Sequence, residues 1–170
     1  MINACFDAAL QLARQVDDTG TIVSALNGLG IVHRICGAID RAEAYLNEGL
    51  DLATRAGNRH GMAHSMYNLG DLSFRRGDAG GAARNATMSL AIFGQIGDRA
   101  GMAYALRVVG FAALLRGDHV EAERCHAESQ AIFLEIGDRW GVSACLINRG
   151  EVARRQGDCA RAAQCYRDSL

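Results

Sequence analysis

The segment Met62–Arg76 sets Met66, Leu69 and Phe74 among polar positions at helical spacing. One apolar stripe on an otherwise polar cylinder predicts an amphipathic helix, here called helix A. Arg75 and Arg76 precede Gly77, so cations meet the negative end of the helix dipole before a residue that accepts a left-handed backbone. Asp78 follows as the N-cap of a second helix, helix B, which runs to about Ile96. Gly97 stops it, and Asp98 caps the next helix A. In the following unit Asp118 and Glu121 read as a capping box at the position of Asp78. The unit is a helical hairpin.

That unit recurs. Gly30, Gly70, Gly110 and Gly150 stand 40 residues apart, as do Gly37, Gly77, Gly117 and Gly157. Gly57, Gly97 and Gly137 form a third series, and Gly61, Gly101 and Gly141 a fourth, so 14 of the 20 glycines keep one period. Ala42, Ala82, Ala122 and Ala162 follow the same beat. Met62–Gly101 and Met102–Gly141 share 17 identities in 40 positions. A glycine inside helix A costs up to ~1 kcal/mol relative to alanine. Its recurrence predicts close approach of the two backbones, Gly70 against Ala82. The frame divides the chain into a half repeat at 1–21 with helix B alone, full repeats at 22–61, 62–101 and 102–141, and a repeat at 142–170 truncated in helix B. Nine helices are expected, with neither end a polar cap. Stacked repeats need capped ends for solubility, so the chain reads as a segment of a longer protein whose open ends can self-associate.

Leu29-Gly30 and Leu69-Gly70 late in helix A, the Gly-Asp turns at 77–78, 117–118 and 157–158, and the alanine four residues after each such Asp resemble tetratricopeptide repeats. The resemblance covers essentially the whole chain and implies an all-α fold, a right-handed α-solenoid of antiparallel hairpins. The period departs from the family's usual length of about 34, and an Ile-Gly-Asp-Arg turn replaces the family's proline near the end of helix B. Long helices of this kind are similar to those of kinesin light chains and polarity adaptors. They also resemble the arrays of bacterial signalling ATPases and LuxR-type regulators, where Ile136–Gly141 would be at home.

The family lines a concave groove with its A helices. On this chain the implied groove positions are Ser24, Asn27, Ile31 and Arg34, then His64, Tyr67, Asn68, Asp71 and Arg75. Tyr104, Arg107, Phe111 and Leu114 follow in the third unit, and Asn148, Glu151, Arg154 and Arg155 in the fourth. Asn68 and Asn148 are two periods apart, and an amide offers donor and acceptor to a ligand's backbone, or else to a neighbouring helix. Tyr67 and Tyr104 are assigned to the groove and Phe74, Phe93 and Phe133 to the core. Arg34, Arg75, Arg107, Arg154 and Arg155 offer bidentate pairing to a carboxylate. Most of them, however, sit in last turns where the helix dipole already favours a cation, and Asp71 and Glu151 interleave.

Composition narrows the function. The net charge is −1, which leaves no electrostatic footprint for nucleic acid or an anionic membrane. All 18 basic residues are arginine, which excludes a P-loop lysine and Schiff-base chemistry and fits a GC-rich, bacterial coding bias. The six cysteines show no CxxC pair and no zinc-type spacing, so reduced thiols in a cytoplasmic protein are expected. No apolar run approaches a membrane span and no secretory n-region precedes residue 5. His60 and His64 have the i,i+4 spacing of zinc ligands, but Gly61-Met62-Ala63 lacks the Glu of HExxH and no third ligand is evident. His33, His119 and His126 stand alone as surface or packing residues. No catalytic constellation assembles. No enzyme activity, cofactor or metal is therefore expected. The leading expectation is a protein–protein interaction scaffold for a peptide or helix, and the alternative is a sensor or regulatory segment of a signalling ATPase or transcription regulator.

Overall fold

The computed structural model describes residues 2–170, with side chains from Phe6 onward. Among them lie nine α-helices and no strand: α1 Ile2–Gln15, α2 Thr19–Ile35, α3 Ile39–Arg55, α4 Arg59–Arg75, α5 Ala79–Ile96, α6 Arg99–Leu115, α7 His119–Glu135, α8 Arg139–Arg155 and α9 Cys159–Asp168. The even-numbered helices are A-type and the odd-numbered ones B-type. Each packs on its neighbours in the chain, and α2, α4 and α6 also pack on one another from hairpin to hairpin. Helices α2, α4 and α6 therefore form a continuous row in an α-solenoid.

One glycine turn builds seven of the eight corners, and at the first corner Asp17 takes the left-handed place with φ 54°. At Gly77, φ is 78°, and its N–H donates to the Phe74 carbonyl at 2.9 Å while the Asp78 N–H donates to the Ser73 carbonyl at 2.9 Å. This pair of bonds satisfies carbonyls that the helix end leaves free. Left-handed glycines stand at 37, 57, 77, 97, 117, 137 and 157, one every 20 residues. Helices A and B of the full repeats are equal in length to within one residue, so the corner has half the period of the hairpin. The next residue starts the following helix: Asp78, Asp98, Asp118, Asp138 and Asp158 each accept a backbone N–H with a carboxylate oxygen, and Asn58 does so with its amide oxygen. Ala38 is the exception, with no side-chain cap. Because Asn58 caps α4, that helix starts at Arg59, three residues before the apolar pattern begins.

The expected capping box is only half formed. Glu121 N–H donates to Asp118 Oδ1 at 3.0 Å, but the Glu121 carboxylate turns to Arg124 at 2.8 and 2.9 Å. The reason lies in the corner: the Asp118 N–H already donates to the Ala113 carbonyl, leaving nothing for Glu121 to accept.

The mid-helix glycines admit helix B. A Cβ on Gly70 would stand 3.3 Å from the Ala86 nitrogen and 3.4 Å from the Ala82 carbonyl, both backbone atoms that cannot swing away. Gly30, Gly110 and Gly150 receive side chains instead, with Leu46, the His126 ring and the Tyr166 ring each 2.6 Å from the place a Cβ would take. Leu46, Ala86, His126 and Tyr166 thus fill one repeat position in four ways. Phe93 and Phe133 are fully buried over Gly101 and Gly141, as assigned, whereas Phe74 is half-buried and stacks on Phe111 at 4.6 Å. Cys125, Cys145 and Cys165 are buried, and burial pushes the Cys125 thiol up to about 12. Cys36 and Cys159 are exposed rather than packed, and Cys5 lies outside the described side chains. Among the described residues, no helix is long and apolar enough to cross a membrane.

Candidate groove on the A helices

On α2 and α4 most polar groove positions find partners, the buried Nε of Arg34 excepted. Ser65 donates its hydroxyl to Asn27 Oδ1 at 3.0 Å, and Asn68 donates its amide to the His64 carbonyl of its own helix at 3.0 Å. Both asparagines are buried. Asp71 accepts from Arg75 Nε on its own helix at 3.1 Å and forms an ion pair with Arg34 Nη1 from the preceding A helix at 3.0 Å. A cavity of about 330 Å³ lies between these helices, with Ser24, Asn27, Ile31, His64 and Asn68 in its wall.

On α6 and α8 two groove residues, Arg107 and Asn148, keep buried nitrogens without partners. Arg107 makes no ion pair among the described residues, and its buried Nε has no hydrogen-bond partner. Its guanidinium lies over two aromatic faces, 5.9 Å from the Phe111 centroid and 5.8 Å from that of Trp140. Such faces attract a cation through their quadrupole without neutralising it. Asn148 Nδ2, buried, also lacks a partner. Beneath them His126 is fully buried with both ring nitrogens unbonded, 5.2 Å from the Phe111 ring centroid. Burial, with the Arg107 and Arg149 charges behind it, pulls this imidazole down to about 4. Further along α8, Glu151 pairs with Arg154 at 2.7 Å and Arg155 at 2.8 Å, and their hydrogen bonds bring its carboxyl down to about 2.

Tyr67 and Tyr104 join the two halves, with ring centroids 5.9 Å apart. Burial raises both phenols, and Tyr104 reaches the Asp138 carboxylate at 3.5 Å. Leu114 is buried in the core beside Ala113 and Val152. His64 stands apart, edge-on to Phe93 at 5.1 Å and 4.4 Å from the His60 ring, and burial lowers its imidazole first and the His60 charge second. Of the five groove arginines, Arg34, Arg75, Arg154 and Arg155 are committed to Asp71 or Glu151 and Arg107 is not. Trp140 was missed as a groove residue. The signal was there in that the chain's single tryptophan, 67% exposed, stands where the other repeats carry Gly20, His60 and Ala100.

The comparisons with known proteins agree with this fold. The chain superposes with a TM-score of 0.80 on the crystal structure of BtubC (BKLC) from P. vanneervenii, at 19% identity over 98% of this chain and 69% of that one. For a Rap protein complexed with Competence and Sporulation Factor the TM-score is 0.88, at 17% identity over 98% of this chain and 47% of that one. A kinesin light chain with nearly identical TPR-like repeats from Podosopora anserina gives 0.70, at 11% identity over 98% and 82%. At such identities the likeness is one of fold. No curated protein sequence matches the chain. The family profile described as Tetratricopeptide repeat matches residues 21–95 and 101–170. The chain belongs to the tetratricopeptide repeat family.

Proposed function

We propose that this array is a non-enzymatic scaffold that holds a peptide or a partner helix along the groove of α2, α4, α6 and α8, with an acidic group of the ligand at Arg107. Tetratricopeptide repeats generally serve as protein–protein interaction scaffolds. One observation carries the finer reading: Arg107 is the groove arginine without a carboxylate partner among the described residues, and it is held against Phe111 and Trp140. A half-buried, unpaired guanidinium bears a desolvation cost that an incoming carboxylate offsets by bidentate pairing. Asn148 adds a free amide donor for a peptide carbonyl. Tyr67, Tyr104 and Phe111 supply the apolar wall, with His64, Asn68, Asp71 and Arg75 toward one end and Glu151, Arg154 and Arg155 toward the other. No cofactor and no nucleic acid enter this reading, and the setting is cytoplasmic.

Trp140 is the chain's one tryptophan and lies on Arg107, so its fluorescence reports occupancy directly. Titration with a library of acidic peptides and their amidated, neutral counterparts should show binding of the acidic set alone. Arg107→Met should weaken a selected peptide by roughly tenfold or more, the worth of a charge-assisted bond. Asn148→Ala should weaken it less, and Asn68→Ala should leave it unchanged, because that amide is already bonded within α4. Equal affinity of wild type and Arg107→Met would sink the reading.

A second reading makes the array the sensor segment of a larger bacterial signalling ATPase or transcription regulator. The observation favouring it is the high TM-score with a Rap protein solved in complex with a factor, of which this chain spans about half the length. A P-loop ATPase or helix-turn-helix domain encoded upstream of Met1 would favour this reading, and further repeats there the first.

A further inference from the structure

We propose that His60, His64 and Asp98 form a binding site for a divalent transition metal, Zn²⁺ being the ion that suits the donors, and that the ion ties α4 to α6. The sequence supplied two imidazoles one helical turn apart and no third ligand. The fold supplies the third from 38 residues away. Asp98 is the N-cap of α6, the next A helix, and its Oδ1 accepts the Gly101 N–H at 2.8 Å. That bond holds the carboxylate still and leaves Oδ2 free, 3.4 Å from His60 Nε2. One ligand atom from each of the three residues lies within 4.8 Å of the other two.

Tetrahedral zinc with bonds of about 2.0–2.2 Å to imidazole and carboxylate sets neighbouring donor atoms about 3.4 Å apart. The His60–Asp98 separation has that value already. The widest separation closes by rotation of an imidazole, and His60 is free to rotate at 62% side-chain exposure while His64 is steadied edge-on against Phe93. A cap hydrogen bond on the ligating carboxylate is the kind of outer support that metal ligands commonly have. Two imidazoles and one carboxylate select a borderline ion such as Zn²⁺ over Mg²⁺ or Ca²⁺, which take oxygen donors. Three protein ligands leave a fourth position for water or a donor from a bound partner.

The trio is not a by-product of the repeat. One period earlier the two histidine positions hold Gly20 and Ser24, and one period later Ala100 and Tyr104. Aspartate or asparagine recurs at the cap, but only at the α4–α6 junction do two imidazoles face it. The consequence is a staple between two successive A helices, beside the cavity whose wall includes both histidines.

The test uses the whole chain in a metal-free reducing buffer, titrated with Zn²⁺ by calorimetry and with Co²⁺ by visible absorption. One equivalent should bind, Zn²⁺ should raise the Tm, and Co²⁺ should show d–d bands without the near-ultraviolet thiolate-to-metal band. His60→Ala and Asp98→Asn should each weaken Zn²⁺ by roughly tenfold or more and remove the Tm shift. Asp98→Asn keeps the helix cap, since Asn58 performs the same role, so its loss of binding reports ligation and not unfolding. Replacing the exposed Cys36 and Cys159 with serine should change nothing. Undiminished binding in His60→Ala and Asp98→Asn, or a thiolate band with Co²⁺, would place the metal on cysteine and overturn the proposal. Absence of any uptake would reduce the trio to a helix cap and an ion pair.

Discussion

Asp71 and Glu151 occupy the same repeat position two periods apart, each with an arginine four residues on, yet they inhabit different surroundings. Asp71 is 13% exposed and receives a second arginine, Arg34, from the preceding A helix. Glu151 is 30% exposed and finds both its partners on its own helix. The difference traces to one residue, because the position that holds Arg34 before Asp71 holds Leu114 before Glu151. The α2–α4 half of the groove therefore closes its charges on itself. The α6–α8 half buries a leucine there and leaves Arg107 and Asn148 without partners. A repeat with one backbone thus yields one stretch whose polar groups pair across the stack and another with Arg107 Nε and Asn148 Nδ2 left unpartnered.

The comparison breaks most visibly at Asp71. Removing one member of a largely desolvated ion pair leaves the other charge uncompensated. Asp71→Ala should cost about 3 kcal/mol in urea denaturation at neutral pH, since Arg34, 16% exposed, would remain inside. Arg107→Met removes no ion pair and should shift stability by less than about 0.5 kcal/mol. If the two variants prove equally destabilised, the two halves do not differ in the way their contacts indicate.

Next in size is the pH response of the α6–α8 half. His126 is neutral in the folded protein, held near 4 by burial and by Arg107 and Arg149, against an ordinary value of 6.5. Between those values the unfolded chain binds the proton and the folded one does not, so stability is full above 6.5 and falls as the pH drops toward 4. The loss attributable to this residue should reach about 2 kcal/mol near pH 5. His126→Leu copies the Leu46 that fills the same place over Gly30. Its denaturation midpoints should lose that portion of the slope between pH 7 and 5. A slope unchanged by the substitution would mean that His126 does not carry it.

How much of this could be read from the residues depended on what each feature requires. A left-handed corner and a helix cap admit few residue types, so the glycine series and the aspartates after them were legible as periodicity. The start of α4 was displaced because Asn58 decides it rather than the first apolar residue. Pairs within one helix, Asp71 with Arg75 and Glu151 with Arg155, follow from spacing alone. Pairs between helices do not: Arg34 with Asp71 spans 37 residues, and His60 with Asp98 spans 38. Asp98 was also hidden by its evident duty as a cap, which uses only one of its two oxygens. Arg107 could be listed as a groove cation, but its lack of a partner is a property of the assembled fold.

The smallest expected effect sharpens the comparison at its other end. Glu151→Gln dissolves an ion cluster that lies along a single helix and is open to water, where solvent and salt screen the attraction. Its cost should stay under about 1 kcal/mol, well below that of Asp71→Ala at the equivalent position. Added salt should diminish it further while leaving the Asp71 effect nearly intact. The acid response separates the two titrating groups as well. The Glu151 carboxyl is depressed to about 2, so its contribution is complete above the ordinary carboxylate value of 4.5 and is lost progressively as the pH falls from there to about 2. The fall from pH 7 to 5 should consequently be the same in Glu151→Gln as in wild type, and absent in part from His126→Leu. A Glu151→Gln variant that unfolded as readily as Asp71→Ala would show that neither exposure nor the arginine on the preceding helix ranks the two carboxylates.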